Sequence, residues 1–345
     1  MSYPRRAVLA ATAVVVASGL MACTGGGASD DVGGAEPAQA GAGESSVINL
    51  YAYAVPKVGF DKVIPAFTAT PAGKGVEFRQ SYGASGDQSR KVAAGAEADF
   101  VNFSVAPDIT RLVDAGLVAS DWTTVANGGV AFGSVVTIVT REGNPKEIRD
   151  WDDLLADGVE VVTPNPFSSG SAKWNLLAPY AAKSDGGKNP EAGLAYITKL
   201  VNDHIKVQPK SAREATETFL QGTGDVLLSY ENEALFIEQS EPVGHVTPPT
   251  TFRIDNPVAV LKDSPNLEVA TAFRDYLFTP EAQRLWAEAG FRPTDADVAA
   301  EFADKFPAPE KLWTIDDLGG WSAVDPELFA KETGKIAVIY EEATS

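Results

Sequence analysis

The sequence predicts an α/β protein of two lobes joined by crossing strands, and three observations carry that expectation. Strand-like runs alternate with helical spacings from Val47 onward, the pattern of largely parallel sheets. Ser134 to Thr140 (SVVTIVT) is an almost unbroken β-branched run, as a strand buried on both faces requires. Beyond it a second strand–helix series begins, with no internal repeat of the first, and two lobes accommodate the two series better than one long sheet. A chain of 345 residues is long enough for one large or two ordinary domains.

Residues 1–22 are set apart as a signal segment. Arg5 and Arg6 precede an apolar run, Ala7 to Leu20, that is short for a membrane span. Leu20-Met21-Ala22-Cys23 resembles the lipobox of bacterial lipoproteins, where the chain is cut before the cysteine and the new terminus is acylated. Cys23 is the only cysteine, which leaves no disulfide and no thiolate metal site. Residues 23–46 are rich in Gly, Ala and Ser with no apolar period. Such a composition cannot bury a core and reads as a flexible tether. The expected location is the outer face of the cell membrane, with a soluble body held by a lipid.

Within that body, Val47 to Tyr53 and Val76 to Gln80 read as strands, with a helix between them around Phe60 to Phe67. Ala98 to Phe103 is a third strand, and Asp108 is placed to cap a helix carrying Ile109, Leu112 and Val113. In the second series Asp150 opens a short helix, residues 159–163 form a strand, and a helix runs from Ala172. Ser211 to Leu220 reads as helix, Asp225 to Tyr230 as strand, and Pro257 to Lys262 as a further strand. Thr279-Pro280-Glu281 combines a capping hydroxyl, a proline in the first turn and an acid near the helix dipole.

The formal charge is −19, and loss of the two signal-segment arginines takes it to −21. A field of that sign opposes nucleic acid and anionic lipid headgroups. His204 and His245, the only histidines, have no ligand-like spacing, so neither a zinc enzyme nor any other cofactor is expected.

Chemistry concentrates where strands hand over to helices. TPNPFSSGSAKWN (163–175) sets Ser168, Ser169 and Ser171 around Gly170; GASGDQSRK (83–91) and PKSAREATETF (209–219) place Ser85-Gly86 and Ser211-Ala212 at helix starts. First-turn N–H groups lack internal partners and carry partial positive charge, so small residues there let an anion approach. Capping accounts for any one such junction; three serines about Gly170 exceed what one cap needs. The phosphate-loop pattern is absent, and the near-match to a nucleophile elbow at Gly83 to Asp87 lacks its last glycine. A binding protein is therefore expected, with a secreted hydrolase as the remote alternative.

QSYGASGDQ (80–88), TPNPFSSGSAKWN, GDVLLSYENEA (224–234), FRPTDADV (291–298) and WTIDDLGGW (313–321), in this order, resemble the periplasmic sulfate-binding proteins of ABC importers. The resemblance implies a type II periplasmic-binding-protein-like fold with a hinge and an interlobe cleft. It implies a lobe 1 of residues 47–134 and 256–345, a lobe 2 of residues 135–255, and C-terminal helices packed on lobe 2. It further implies a monomer that delivers sulfate to a membrane permease. Carried over, the anion would be held by the backbone N–H of Ala54, a donor from Ser85, the hydroxyl and main chain of Ser169, the Gly170 and Ser171 amides, the N–H of Ala212, and Tyr230. Three positions depart from the family: Ala54 stands for aspartate, Ser171 for glycine and Tyr230 for tryptophan. The first two matter little for backbone donors. A phenol accepts as well as donates, unlike an indole N–H, and related molybdate-binding proteins use a tyrosine. Thiosulfate, molybdate and tungstate therefore stay open as ligands. Asp87 and Glu231 are expected to point outward, because a carboxylate facing the ligand would favour a protonated anion.

Overall fold

The computed structural model describes residues 46–344; the signal segment, Cys23 and all but the last residue of the tether lie outside the described residues. The strands are β1 (Val47–Tyr53), β2 (Glu77–Gly83), β3 (Phe100–Asn102), β4 (Val130–Arg141), β5 (Val161–Val162), β6 (Ile205–Val207), β7 (Val226–Tyr230), β8 (Val243–Val246), β9 (Thr250–Val260), β10 (Arg292–Pro293) and β11 (Lys311–Trp313). The helices are α1 (Lys57–Thr68), α2 (Ser85–Ala93), α3 (Ala106–Asp114), α4 (Gly170–Ser184), α5 (Pro190–Lys199), α6 (Ala212–Leu220), α7 (Glu231–Ile237), α8 (Leu267–Tyr276), α9 (Pro280–Glu288), α10 (Ala296–Glu301), α11 (Trp321–Val324) and α12 (Lys335–Thr344).

Hydrogen bonding follows one path, β2-β1-β3-β9-β4-β7-β5-β6. The two lobes thus share a strand pair instead of owning separate sheets. β9 gives Val258 to Val260 to β3 and Thr250 to Phe252 to β11. β4 gives Phe132 and Gly133 to β10, and its far half to β7 and β8. Between these ends β4 and β9 pair with each other. Pairing is parallel among β1, β2 and β3 and among β5, β6 and β7, as expected from strand–helix alternation. It is antiparallel wherever β4 meets another strand, and between β3 and β9. The chain leaves the first lobe through β4 and returns through β9, so the two run antiparallel to each other, while β9 is parallel to β11.

The continuous burial of β4 bears out the reading of SVVTIVT: Ala131 to Thr140 are all buried. In the first lobe an aromatic cluster fills the space between sheet and helices. Phe60 meets Trp286 edge-on at 5.1 Å, Phe273 meets Phe67 and Phe100 at 5.1 Å, and Phe132 stacks on Trp286 at 3.8 Å. Gly59 is dictated by this packing, since a Cβ there would lie 2.0 Å from the Trp286 ring. In the second lobe Trp151, Trp174, Leu176, Ile197 and Phe252 are buried. Trp321 of α11 closes on Trp174 with ring centroids 4.8 Å apart.

Two local expectations are corrected. β9 starts at Thr250, seven residues before the predicted strand, because its first half is a crossing segment whose polar residues pair with β11 and β4. Asp108 is not the cap of α3. The helix starts at Ala106 with proline in the first turn, which favours an earlier start. Asp108 is instead buried one turn in.

Candidate functional site

Four strand–helix junctions converge, one more than the sequence indicated. On the first lobe, β2 delivers Ser85 as the first residue of α2, whose N-cap Ala84 offers no side-chain bond. β3 leads to Ser104 just ahead of α3. On the second lobe, Ser169 stands at the N-cap of α4 without a side-chain capping bond, and Ser211 caps α6 by accepting from the Glu214 N–H at 3.2 Å. Ala212 follows as the first residue of that helix. First-turn amides at Ser85, Gly170, Ser171 and Ala212 lack helical acceptors by construction.

Contacts across the cleft define how these junctions meet. The Gly86 N–H donates to the Ser168 carbonyl at 3.1 Å. Ser104 and Tyr230 join their hydroxyls at 2.7 Å, and the Trp174 indole N–H donates to the Ser104 carbonyl at 2.7 Å. A Cβ on Gly170 would lie 2.9 Å from Ser104 Cβ and 3.0 Å from Val105 Cγ2, so the α4 start touches the β3–α3 segment directly. Ser85, Ser104, Ser169, Ser171 and Tyr230 are all buried. Tyr53, at the end of β1 beside Ala54, has its ring 6.4 Å from that of Tyr230. Ala54 follows Tyr53, and Ala212 stands two residues after Lys210, whose carbonyl accepts from Ser168 Oγ at 2.8 Å; no hydrogen bond of Ala54 or Ala212 to the cluster is seen among the described residues.

Two of the expected donors are already committed. The Ser85 hydroxyl donates to Asp108 Oδ2 at 2.6 Å and accepts from the Ser104 N–H at 2.9 Å. What Ser85 has left is its backbone N–H. Conversely, the Ser169 N–H donates to the Asn165 carbonyl at 2.9 Å, so its free group is the hydroxyl. Both assignments follow from long-range or loop contacts that residue identity alone does not reveal.

The electrostatics favour neutral donors. Burial pushes the Tyr230 phenol well above the usual tyrosine range, against the pull of the Ser104 and Ser171 hydroxyls, so it stays protonated. Burial also raises Tyr53, helped by Tyr230 and Glu233. At the mouth, a cavity of about 520 Å³ is lined by Gly86, Ser169 and Gly170 and also by Arg90, Arg111 and Lys173. Each of these cations is held by an acid: Arg90 by Asp87, Arg111 by Asp108 at 2.7 Å, and Lys173 by Asp325. Asp87 is exposed, as expected. Glu231 is not at the surface: it is buried and gripped at both oxygens by Arg292, at 2.7 and 2.8 Å. No group of His, Cys, Asp and Glu among the described residues is placed to hold a metal ion.

Sequence reading missed Ser104, Asp108 and Trp174. Ser104 sits in FSVAPD (103–108), a fourth strand–helix junction with a small hydroxyl residue, and that signal was available. The other two act through partners far away in sequence.

The family profile of bacterial extracellular solute-binding proteins matches residues 48–292. The sulfate-binding protein of Synechococcus elongatus is 38% identical, over 95% of this chain and 93% of its own. The thiosulfate-binding protein of Pseudomonas aeruginosa is 34% identical, over 74% of this chain and 80% of its own. Among solved structures, the sulfate-binding protein SubI from Mycobacterium tuberculosis matches at TM-score 0.81 and 63% identity, covering 82% of this chain and 99% of that one. A two-lobed body with helix starts gathered at a common cleft, and a likeness of this extent, have one reading: the chain belongs to the bacterial extracellular solute-binding proteins, in the same family as those sulfate-binding proteins.

Proposed function

We propose that this protein captures sulfate in the cleft between its lobes and hands it to an ABC permease. The observation that carries the reading is the meeting of uncharged polar groups from both lobes in one buried place, while Arg90, Arg111 and Lys173 beside it are each paired with an acid. The proposed donors are the backbone N–H groups of Ala54, Ser85, Gly170, Ser171 and Ala212, the Ser169 hydroxyl and the Tyr230 phenol.

Six or so charge-assisted hydrogen bonds at about 1.5–3 kcal/mol each supply roughly 9–18 kcal/mol gross. Association and closure costs of ~4 kcal/mol or more leave room for micromolar or tighter binding. The net negative charge does not prevent this, because at ~0.15 M salt the screening length is about 8 Å. Sulfate only accepts hydrogen bonds at neutral pH. Hydrogen phosphate keeps a proton that a donor-only cleft leaves unsatisfied, at about 1–3 kcal/mol. Sulfate is therefore favoured over phosphate by roughly tenfold or more. Calorimetric titration with sulfate, thiosulfate, molybdate and phosphate tests this. Equal affinities for sulfate and phosphate sink the donor-only cleft, and tighter thiosulfate binding shifts the ligand to the second reading, which the Pseudomonas relative favours.

The remaining parts of the reading have their own supports. The lobe boundaries fall within β4 and β9, near residues 134 and 255, where each strand changes partners. Residues 311–344 ride on the second lobe, through β11 on β9 and Trp321 on Trp174. Binding without turnover is supported by the relatives' names, which are those of binding proteins. Lipid attachment at Cys23 and a monomeric body rest on sequence; mass spectrometry of the mature terminus and sedimentation test them.

A further inference from the structure

We propose that Ser104 is a specificity-determining residue which turns the Tyr230 phenol into a one-way donor; this rests on the anion site proposed above. A phenol has one proton to give and two lone pairs that accept. By itself Tyr230 would therefore receive a protonated oxyanion as readily as a bare one.

Ser104 removes that freedom. It is fully buried. Its N–H is spent on Ser85 Oγ at 2.9 Å, and its carbonyl accepts the Trp174 indole at 2.7 Å and the Asn256 amide at 3.4 Å. Its hydroxyl has one partner among the described residues, the Tyr230 oxygen at 2.7 Å. A buried hydroxyl proton without an acceptor is costly; with an anion in the cleft to take the phenol proton, both protons are satisfied only when Ser104 donates to Tyr230. With the Ser104 hydroxyl donating to its oxygen, Tyr230 has its own proton left to offer.

Position supports the role as well. A Cβ built on Gly170 lies 3.1 Å from Ser104 Oγ, so that hydroxyl borders the loop whose amides face the anion. The backbone holds Ser104 rigidly, tied on one side to Ser85 and on the other to Trp174. The Ser85 hydroxyl, itself locked onto Asp108 at 2.6 Å, keeps its proton out of the site in the same way. Ser85 thus spends its proton on Asp108 and Ser104 on Tyr230, and the phenol proton is the one left to face the anion.

The test is calorimetric binding of sulfate and hydrogen phosphate at pH 8 by the wild-type protein, Ser104→Ala, Ser104→Thr, Tyr230→Phe and the Ser104→Ala/Tyr230→Phe double variant. Ser104→Ala is expected to weaken sulfate by roughly three- to tenfold and phosphate by less, so that the sulfate-to-phosphate ratio falls about fivefold. Ser104→Thr, which keeps the hydroxyl, restores the ratio. In the Tyr230→Phe background, Ser104→Ala leaves the ratio where it was. An equal loss for both anions in Ser104→Ala, or a ratio change that persists without the phenol, overturns the inference. Should Ser104→Ala not fold, Ser104→Cys carries the comparison, its thiol being a weak donor. A wild-type protein that binds no sulfate overturns the functional proposal itself. One that prefers sulfate while Ser104→Ala keeps the full preference overturns this inference alone.

Discussion

Gly170→Ala isolates closure from every donor in the site. The added methyl keeps the residue 170 N–H and adds no charge. Gly170 has an ordinary negative φ and opens α4, so alanine suits the local backbone. Within the second lobe the change is neutral or slightly stabilising, since alanine leaves the unfolded chain less freedom. Across the cleft it collides: the new Cβ would stand 2.9 Å from Ser104 Cβ and 3.0 Å from Val105 Cγ2. Carbon atoms prefer about 3.5–4.0 Å, so the lobes must part by several tenths of an ångström or Val105 must leave its rotamer. Overpacking of this kind costs about 1–3 kcal/mol. Only the closed state bears it, so the loss appears in affinity at roughly 5- to 150-fold. The assay pairs sulfate titration calorimetry with thermal unfolding of the ligand-free protein. Weaker binding with an unchanged or higher Tm is expected. Unchanged affinity would refute the claim that Gly170 and Ser104 meet in the closed cleft.

Three further outcomes follow from the same structure. Arg292→Ala leaves the buried Glu231 carboxylate unpaired; breaking such a pair costs about 3–5 kcal/mol, read as a fall in Tm of roughly 5–15 °C. Burial holds Glu233 above the ordinary glutamate range despite Arg213 at 3.2 Å, so the folded state binds its proton more tightly than the unfolded chain. Its contribution is present below the unfolded pKa near 4.5 and is lost as pH rises through the folded value. Glu233→Gln is therefore expected to match the wild type in Tm near pH 4 and exceed it increasingly toward pH 7; a gap that shrinks with pH contradicts this. Trp174→Phe deletes the indole bond to the Ser104 carbonyl at 2.7 Å, an interlobe contact worth about 1 kcal/mol, and should weaken sulfate about fivefold by calorimetry.

Junction chemistry was the most legible part of the site. Small hydroxyl residues at 85, 169 and 171 are visible in the sequence, and the structure buries all three. Ser104 carries the same signal in FSVAPD but was masked by a stronger one, since Asp108 reads as a cap. Proline in the first turn moves the helix start to Ala106 and sends Asp108 inward to Ser85. Glu231 was expected to point outward so that no carboxylate faces the anion; it is instead buried, because the return of the chain at β10 supplies the guanidinium that pairs it.

Local periodicity and composition by themselves determined the α/β class, the buried crossing strand SVVTIVT and the helix starts that offer amides, because these depend on neighbours a few residues apart. Tertiary structure alone decided which hydrogen-bonding groups remain free. Ser85 loses its hydroxyl to Asp108, Ser169 loses its amide to Asn165, and Tyr230 receives Ser104 from 126 positions away. A donor's availability is settled by what else lies within 3 Å of it, and that distance is fixed by packing, not by order along the chain.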